Sequence, residues 1–503
     1  MVSRSWKMIA AAIVTITFIL DLSLAEMPPN YTFMREATEA PKISFYDYIV
    51  VGGGTTGILV AATLSENLSV LLLERGGSPY PNPNVTLGAN FGTYFFDTSP
   101  ESPSQQFVVE GVVNARPRVM GGGTCINAGF YTRAEDRFYT DAGLTDANLI
   151  EESYQYVEKV MVFEPVVGGW QTALRAAMLE AGVTPDNGNT FDHLNGTKTG
   201  GSIFDPNGVR HTAADLLQYA NPEGLSLLLH ARRSKPVAYG VVFKDSLGKM
   251  HRAYLKSEKK NEIIVSARAL GSPQLLILSA IGPKEQLDAL KIKLVVEQPL
   301  VGQYMADNPL NGFFIPALVP VERSLVQTVG ITEFGSYIEE SGGINFFLAD
   351  TPTYLGCDYQ MGGFIFEKTD GPLSMGNLTV VNCNPDAFSN YRYPNMTAQY
   401  ILDLNIQYPY NLNENSKTFS TLEQYCKDTK STIWHYHGGC RIGKVLDEEY
   451  KVLGVDGLRI MDGSTFLNSP GTNPQASLMM LGRYMGVTML AQRCSADKPY
   501  ADM

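Results

Sequence analysis

A chain of 503 residues with 44% hydrophobic and 18% charged residues is long enough for two associated domains and lacks the composition of disorder. Its formal net charge of -12, with no Lys/Arg-rich run, excludes nucleic acid as a partner, because phosphate backbones need a basic face. Six cysteines without paired C-x-x-C spacing give no zinc framework and no other metal set, leaving room for one structural disulfide.

Residues 1–25 read as a signal peptide: Arg4 and Lys7 precede an apolar run over 8–20, and small Ser23 and Ala25 precede a cleavage point. That run is shorter than the roughly 20 residues a membrane-spanning helix needs, so a secreted product without stable membrane insertion is expected. Sequons at Asn30, Asn84, Asn195, Asn377 and Asn395 read as glycosylation acceptors. Asn67 has the same pattern but lies in a tight helix-to-strand turn and is read as unmodified.

Residues 47–51 form a short β-rich apolar run, typical of a buried parallel strand. Helical spacing follows over 57–66, and 69–73 is a second buried strand ending at Glu74. In the resulting β-α-β unit, Gly52-x-Gly54-x-x-Gly57 supplies a tight turn, close backbone approach to a pyrophosphate, and helix-on-strand packing. Gly52, Gly54, Thr55, Thr56 and Gly57 thus form a dinucleotide phosphate seat, with Glu74 placed to accept hydrogen bonds from ribose hydroxyls. The fingerprint alone does not separate FAD from NAD.

Residues 79–116 read as a long loop over the cofactor, followed by a second glycine cluster at Gly121 to Gly123. The pattern is helical over 144–182, and 263–265 is another buried strand. Aromatic, Thr-rich and strand-like composition marks a substrate domain at 312–427, after which a strand at 458–461 and a helix at 474–492 return to nucleotide-domain character. The expected class is therefore α/β, α+β overall: a discontinuous Rossmann-type domain (45–311 and 428–495) with a mostly antiparallel second domain.

Glu74-Arg75-Gly76 and the run from Arg118 through Gly123-Thr124-Cys125-Ile126-Asn127-Ala128-Gly129 resemble the glucose-methanol-choline (GMC) oxidoreductases, whose first signature is a Gly-Gly-Ser/Thr turn followed by Asn-x-Gly. The resemblance implies FAD, with Arg75 beside it and Val119, Gly123, Asn127, Ala128, Gly129 and Phe130 as flavin contacts. The family's second signature is matched over 267–282, with Arg268 and Ala280 standing where relatives have glycine. Arg268 would either intrude on the cofactor or turn outward and pair with phosphate. The segment 228–233 lacks the valine and following hairpin that bracket the adenine in relatives.

Trp434-His435-Tyr436-His437-Gly438-Gly439-Cys440, then Asp462-Gly463-Ser464 and Asn473-Pro474-Gln475, resemble the plant branch of the family that holds mandelonitrile lyases and HOTHEAD-like proteins. The family's catalytic His lies a fixed distance before a Gly-Thr-Cys-like step, so the resemblance implies that His435, counted back from Cys440, is catalytic, with His437 structural or, with Trp434 and Met361, on the substrate side. The resemblance places Trp434, Asp462, Gly463, Pro474 and Gln475 at the flavin. A neutral His is a fitting general base for an alcohol hydroxyl, and Asn473 a fitting N–H donor to the developing alkoxide. An alcohol oxidoreductase acting on an aromatic or long-chain hydroxy substrate is the first expectation. Lyases of the family resemble one another in having His where Asn473 stands, so cyanohydrin cleavage is the second, and a non-catalytic member that has lost FAD is the third. By the same resemblance Cys383 and Cys426 pair in a disulfide, and a monomer is expected.

Overall fold

The computed structural model describes residues 26–343, 362–369, 374–383, 389–392, 421–471 and 473–495, apart from 96, 98, 100, 110, 111 and 238. The leader, Met361 and the sequon at Asn395 lie outside them, as do Phe346, Phe347 and Tyr354, aromatic residues of the expected substrate domain that the sequence offers as pocket or core. No helix among them is long and apolar enough to cross a membrane.

The apolar runs form a six-stranded parallel sheet. Strand β1 (Tyr48–Val51), helix α1 (Thr55–Leu64) and β2 (Val70–Leu73) are the β-α-β unit, followed by β3 (Leu225–Leu229), β4 (Glu262–Val265), α2 (Arg268–Leu278), β5 (Leu458–Ile460) and α3 (Gln475–Ser495). In space the order is Met34–Glu36, β3, β2, β1, β4, β5. Every residue of β1 and β2 is buried, because helices or a second sheet cover both faces. The pleat divides them: Tyr48, Val50, Val70 and Leu72 join the core under α1 and α3, while Ile49, Val51, Leu71 and Leu73 join the opposite core with Ile277 and Val301. Helix α3 brings the C-terminal segment back onto α1. Glycines permit that approach, since a Cβ on Gly482 would stand 2.6 Å from Thr56 O and one on Gly486 2.8 Å from Thr63 Cβ.

The second layer is a seven-stranded sheet in the order Ser431–Thr432, Pro309–Pro316, Gly362–Thr369, Ser336–Gly342, Thr328–Ile331, Gly196–Thr199, Asp186–Asn189. Its pairs are antiparallel except the last. It takes two strands from residues 186–199, ahead of the aromatic-rich stretch.

Three expectations are corrected. The stretch 79–116 is not one loop, for Ser104–Val109 and Val112–Pro117 pair as an antiparallel hairpin; apolar alternation in those strands is interrupted by Gln, Asn and Arg. A hairpin also follows His230: Arg232–Val237 pairs with Gly240–Lys244, and Val241 and Phe243 bury against the sheet. Cys383 and Cys426 are both free thiols. The Cys383 thiol lies 3.7 Å from Leu290 O, whereas Cys426 sits on the helix Leu422–Thr429, its carbonyl accepting from Asn311 Nδ2 at 3.0 Å.

Candidate active site

A cavity of about 350 Å³ runs between the two layers, within the ~300–1,000 Å³ usual for small-molecule sites. At one end is the glycine turn after β1. Gly52 has φ +114°, and a Cβ there would lie 2.2 Å from Ser266 O; a Cβ on Gly57 would lie 2.2 Å from Gly52 O. Gly57 therefore serves helix packing and does not line the cavity, whereas Gly52, Gly54, Thr55 and Thr56 do. Gly54 caps α1 without a side-chain hydrogen bond, and Thr56 Oγ1 is buried with no hydrogen-bond partner among the described residues. An uncapped helix N-terminus with a spare hydroxyl is an anion seat. Glu74 at the end of β2 is fixed by Gly53 N at 2.9 Å and Gly76 N at 2.8 Å, with Arg75 beside it on the cavity wall.

The wall opposite comes from residues 123–130. A Cβ on Gly123 would meet nothing within 4 Å, so this glycine leaves open space. Asn127 Nδ2 donates to Gln475 Oε1 at 2.8 Å, and Gln475 Nε2 donates to Phe130 O, tying this loop to the start of α3. Asn127, Ala128, Gly129, Phe130, Pro474 and Gln475 all line the cavity. Val119 does not: it packs with Val85 and Cys125 and bridges Gly77, so its role is structural. Asp462 and Gly463 close the floor. The Asp462 carboxylate accepts from Arg268 N at 2.8 Å, from Ser272 Oγ and from Ser464 N at 2.8 Å, and burial raises its pKa.

At the far end stand Trp434, His435 and Asn473. Trp434 has φ 60°, a strained conformation for a side-chain-bearing residue that sets the chain direction into His435. His435 N–H donates to Asp307 Oδ1 at 2.8 Å, which anchors its backbone. Its Nδ1 is buried with no hydrogen-bond partner among the described residues. Burial, then the charge of Lys368, then His437 hold the His435 pKa well below the usual imidazole range, so the ring is neutral at neutral pH. His437 does not line the cavity; its Nδ1 is 3.0 Å from His435 O, and its backbone bridges Ala306. It packs behind His435 rather than on the cavity wall.

Lys368 and Glu339 were not singled out from the sequence. Lys368, 1% exposed, donates through Nζ to Glu339 Oε1 at 3.0 Å and to Asn473 Oδ1, and lies 4.2 Å from the Tyr337 ring centroid. A lysine only donates, so the Asn473 carbonyl oxygen faces it and the amide N–H groups remain as donors. The sequence signal was present: Phe364, Phe366 and Lys368 share one phase of a strand whose other members on that phase are buried. Leu310, Val326, Phe366 and Ile433 give this end an apolar lining.

Two family models, both described as GMC oxidoreductase, match residues 46–310 and 399–482. Protein HOTHEAD of Arabidopsis thaliana is 44% identical, with 93% of each chain covered. An (R)-mandelonitrile lyase-like protein of the same plant is 42% identical over 93% of this chain and 94% of its own, and Sinalpyl alcohol oxidase Nec3 of Nesocodon mauritianus is 40% identical over 92% of each. Among solved structures a formate oxidase superposes with a TM-score of 0.75 at 17% identity, covering 91% of this chain and all of its own, a likeness of fold. On the strength of these matches, the chain belongs to the GMC oxidoreductase family.

Proposed function

We propose that this chain is an FAD-dependent oxidoreductase that acts on the CH–OH group of an alcohol. The residues present fit FAD: the anion seat at Gly54 to Thr56 suits the pyrophosphate, Glu74 the ribose, and the side-chain-free space at Gly123 the ring system. FAD, when bound, supplies the hydride acceptor. The remaining work belongs to the chain. His435, neutral and enclosed, takes the hydroxyl proton, and Asn473 donates an N–H to the developing alkoxide. Lys368 orients the Asn473 amide and adds to burial in keeping His435 unprotonated. The observation carrying this reading is that His435 and Asn473 line the same cavity as the phosphate seat.

A second reading is hydroxynitrile cleavage, with His435 removing the cyanohydrin proton. The buried Lys368 ammonium favours it, since a departing anion gains from a nearby cation. Relatives named (R)-mandelonitrile lyase at 35–38% identity support it as well. Anaerobic addition of benzylic and long-chain hydroxy substrates separates the two. Loss of oxidised flavin absorbance with aldehyde formation supports alcohol oxidation, and cyanide release from mandelonitrile without bleaching supports the lyase. A flavin-loaded protein inert to both would overturn both. Secretion with cleavage after Ala25 belongs to the same proposal, and N-terminal sequencing of protein recovered from the medium tests it.

A further inference from the structure

Arg268 stands where α2 begins, one residue beyond the turn that follows β4. Its φ is 74°, in the left-handed region that a side-chain-bearing residue adopts only under strain. The Asp462 carboxylate grips its N–H at 2.8 Å, so the backbone is fixed in that conformation. Fixing it there sends the side chain into the cavity. Arg268 Nε lies 3.5 Å from where a Cβ on Gly54 would be, and Nη2 only 2.5 Å from one on Gly122. The guanidinium therefore rests on two glycines that a larger residue would close off, directly against the start of α1.

Its partners do not account for its charge. Nη1 donates to Pro117 O at 3.1 Å, and among the described residues the guanidinium forms no ion pair with a carboxylate. It is half-buried and borders the cavity. Burial pulls its pKa down to about 10, with Glu74 opposing, so it remains a cation at neutral pH. The α1 N-terminus beside it carries a partial positive charge of roughly half an elementary unit. Two positive groups border one cavity, and the Thr56 hydroxyl in the first turn of α1 has no hydrogen-bond partner among the described residues. All three are anion donors.

We infer that Arg268 clasps the dinucleotide pyrophosphate together with the α1 N-terminus, so that flavin recognition by this chain depends on phosphate charge. The inference rests on the FAD reading above. The full chain, stripped of flavin, is titrated with FAD and with riboflavin, which lacks phosphate, as wild type, Arg268→Gly and Arg268→Lys. Arg268→Gly is expected to weaken FAD about ten- to a hundredfold, the size of a lost charge-assisted contact, and to leave riboflavin unchanged. Arg268→Lys retains most of the affinity, and raising salt weakens FAD more for wild type than for Arg268→Gly. Thermal unfolding without flavin separates binding from strain, because glycine relieves the left-handed φ and the stripped Arg268→Gly protein is expected to melt higher than wild type. FAD binding by Arg268→Gly as tight as wild type or tighter would overturn the inference, making the arginine an obstruction. So would equal weakening of FAD and riboflavin. Failure of every variant to bind either flavin would instead overturn the FAD reading, and this inference with it.

Discussion

Replacing Glu340 by glutamine is expected to stabilise the chain increasingly as pH rises. Glu340 lies on the strand Ser336–Gly342 beside Glu339, and the pleat turns the two to opposite faces, Glu339 toward the cavity. The Glu340 side chain is 1% exposed, and neither carboxyl oxygen has a hydrogen-bond partner among the described residues. Burial first, then the nearby Glu322, raise its pKa to about 9 from an ordinary 4.5. Between those values the unfolded chain is ionised there and the folded chain is not, so each pH unit removes about 1.4 kcal/mol of stability. Glutamine has no proton to lose. From pH 5 to pH 7.5 the stability of Glu340→Gln relative to wild type should therefore grow by about 3 kcal/mol. Taking the difference between two pH values cancels whatever the buried amide itself costs. For a single cooperative unit of this length, ~2 cal/mol/K per residue makes the change about 3 °C in Tm. Thermal or urea unfolding of both proteins at both pH values measures it. A difference that stays flat, or shrinks as pH rises, would show Glu340 ionised in the folded chain and refute the reasoning.

Other substitutions probe the site directly. His435→Asn is expected to lower kcat/KM about 10²- to 10⁴-fold while flavin absorbance and thermal stability stay near wild type, as steady-state rates and spectra would show. Asn473→Ala removes one alkoxide donor and is expected to cost about 10²- to 10³-fold in kcat. Lys368→Met, with Glu339→Gln to avoid a stranded carboxylate, removes the cation that depresses the His435 pKa. The acid limb of the pH-rate profile should then move to higher pH; an unmoved limb would exclude His435 as the titrating base. Cys383 is exposed and free, so non-reduced peptide mapping should find no Cys383–Cys426 crosslink.

What could be read from the sequence was local. The β-α-β unit announced itself because buried strands, glycines and Glu74 all fall within one short segment, and each glycine's role follows from backbone geometry. His435 and Asn473 came from the resemblance, and they do share one cavity. Gly57 serves the helix packing expected of the third fingerprint glycine, whereas Val119 carries a family motif yet packs against Val85 and Cys125, a distinction that depends on which neighbour it meets. Lys368 shares its strand phase with Phe364 and Phe366, which points it inward, but its role emerges only once Glu339, 29 residues away, is placed beside it. The strain at Arg268 and Ala280 was foreshadowed by glycine in relatives; the left-handed φ of 74° and 67° gives the physical reason. The Cys383–Cys426 pairing failed because a pattern carried by relatives says nothing about whether two thiols in this chain meet.

The claim that matters most is that His435 removes the alcohol proton in the cavity shared with the phosphate seat. Anaerobic stopped-flow mixing of flavin-loaded protein with an oxidisable alcohol tests it, comparing wild type with His435→Asn at equal flavin occupancy. Rapid loss of oxidised flavin absorbance in wild type, slowed at least about a hundredfold in the variant, is the predicted result. Equal bleaching rates in the two proteins would contradict it.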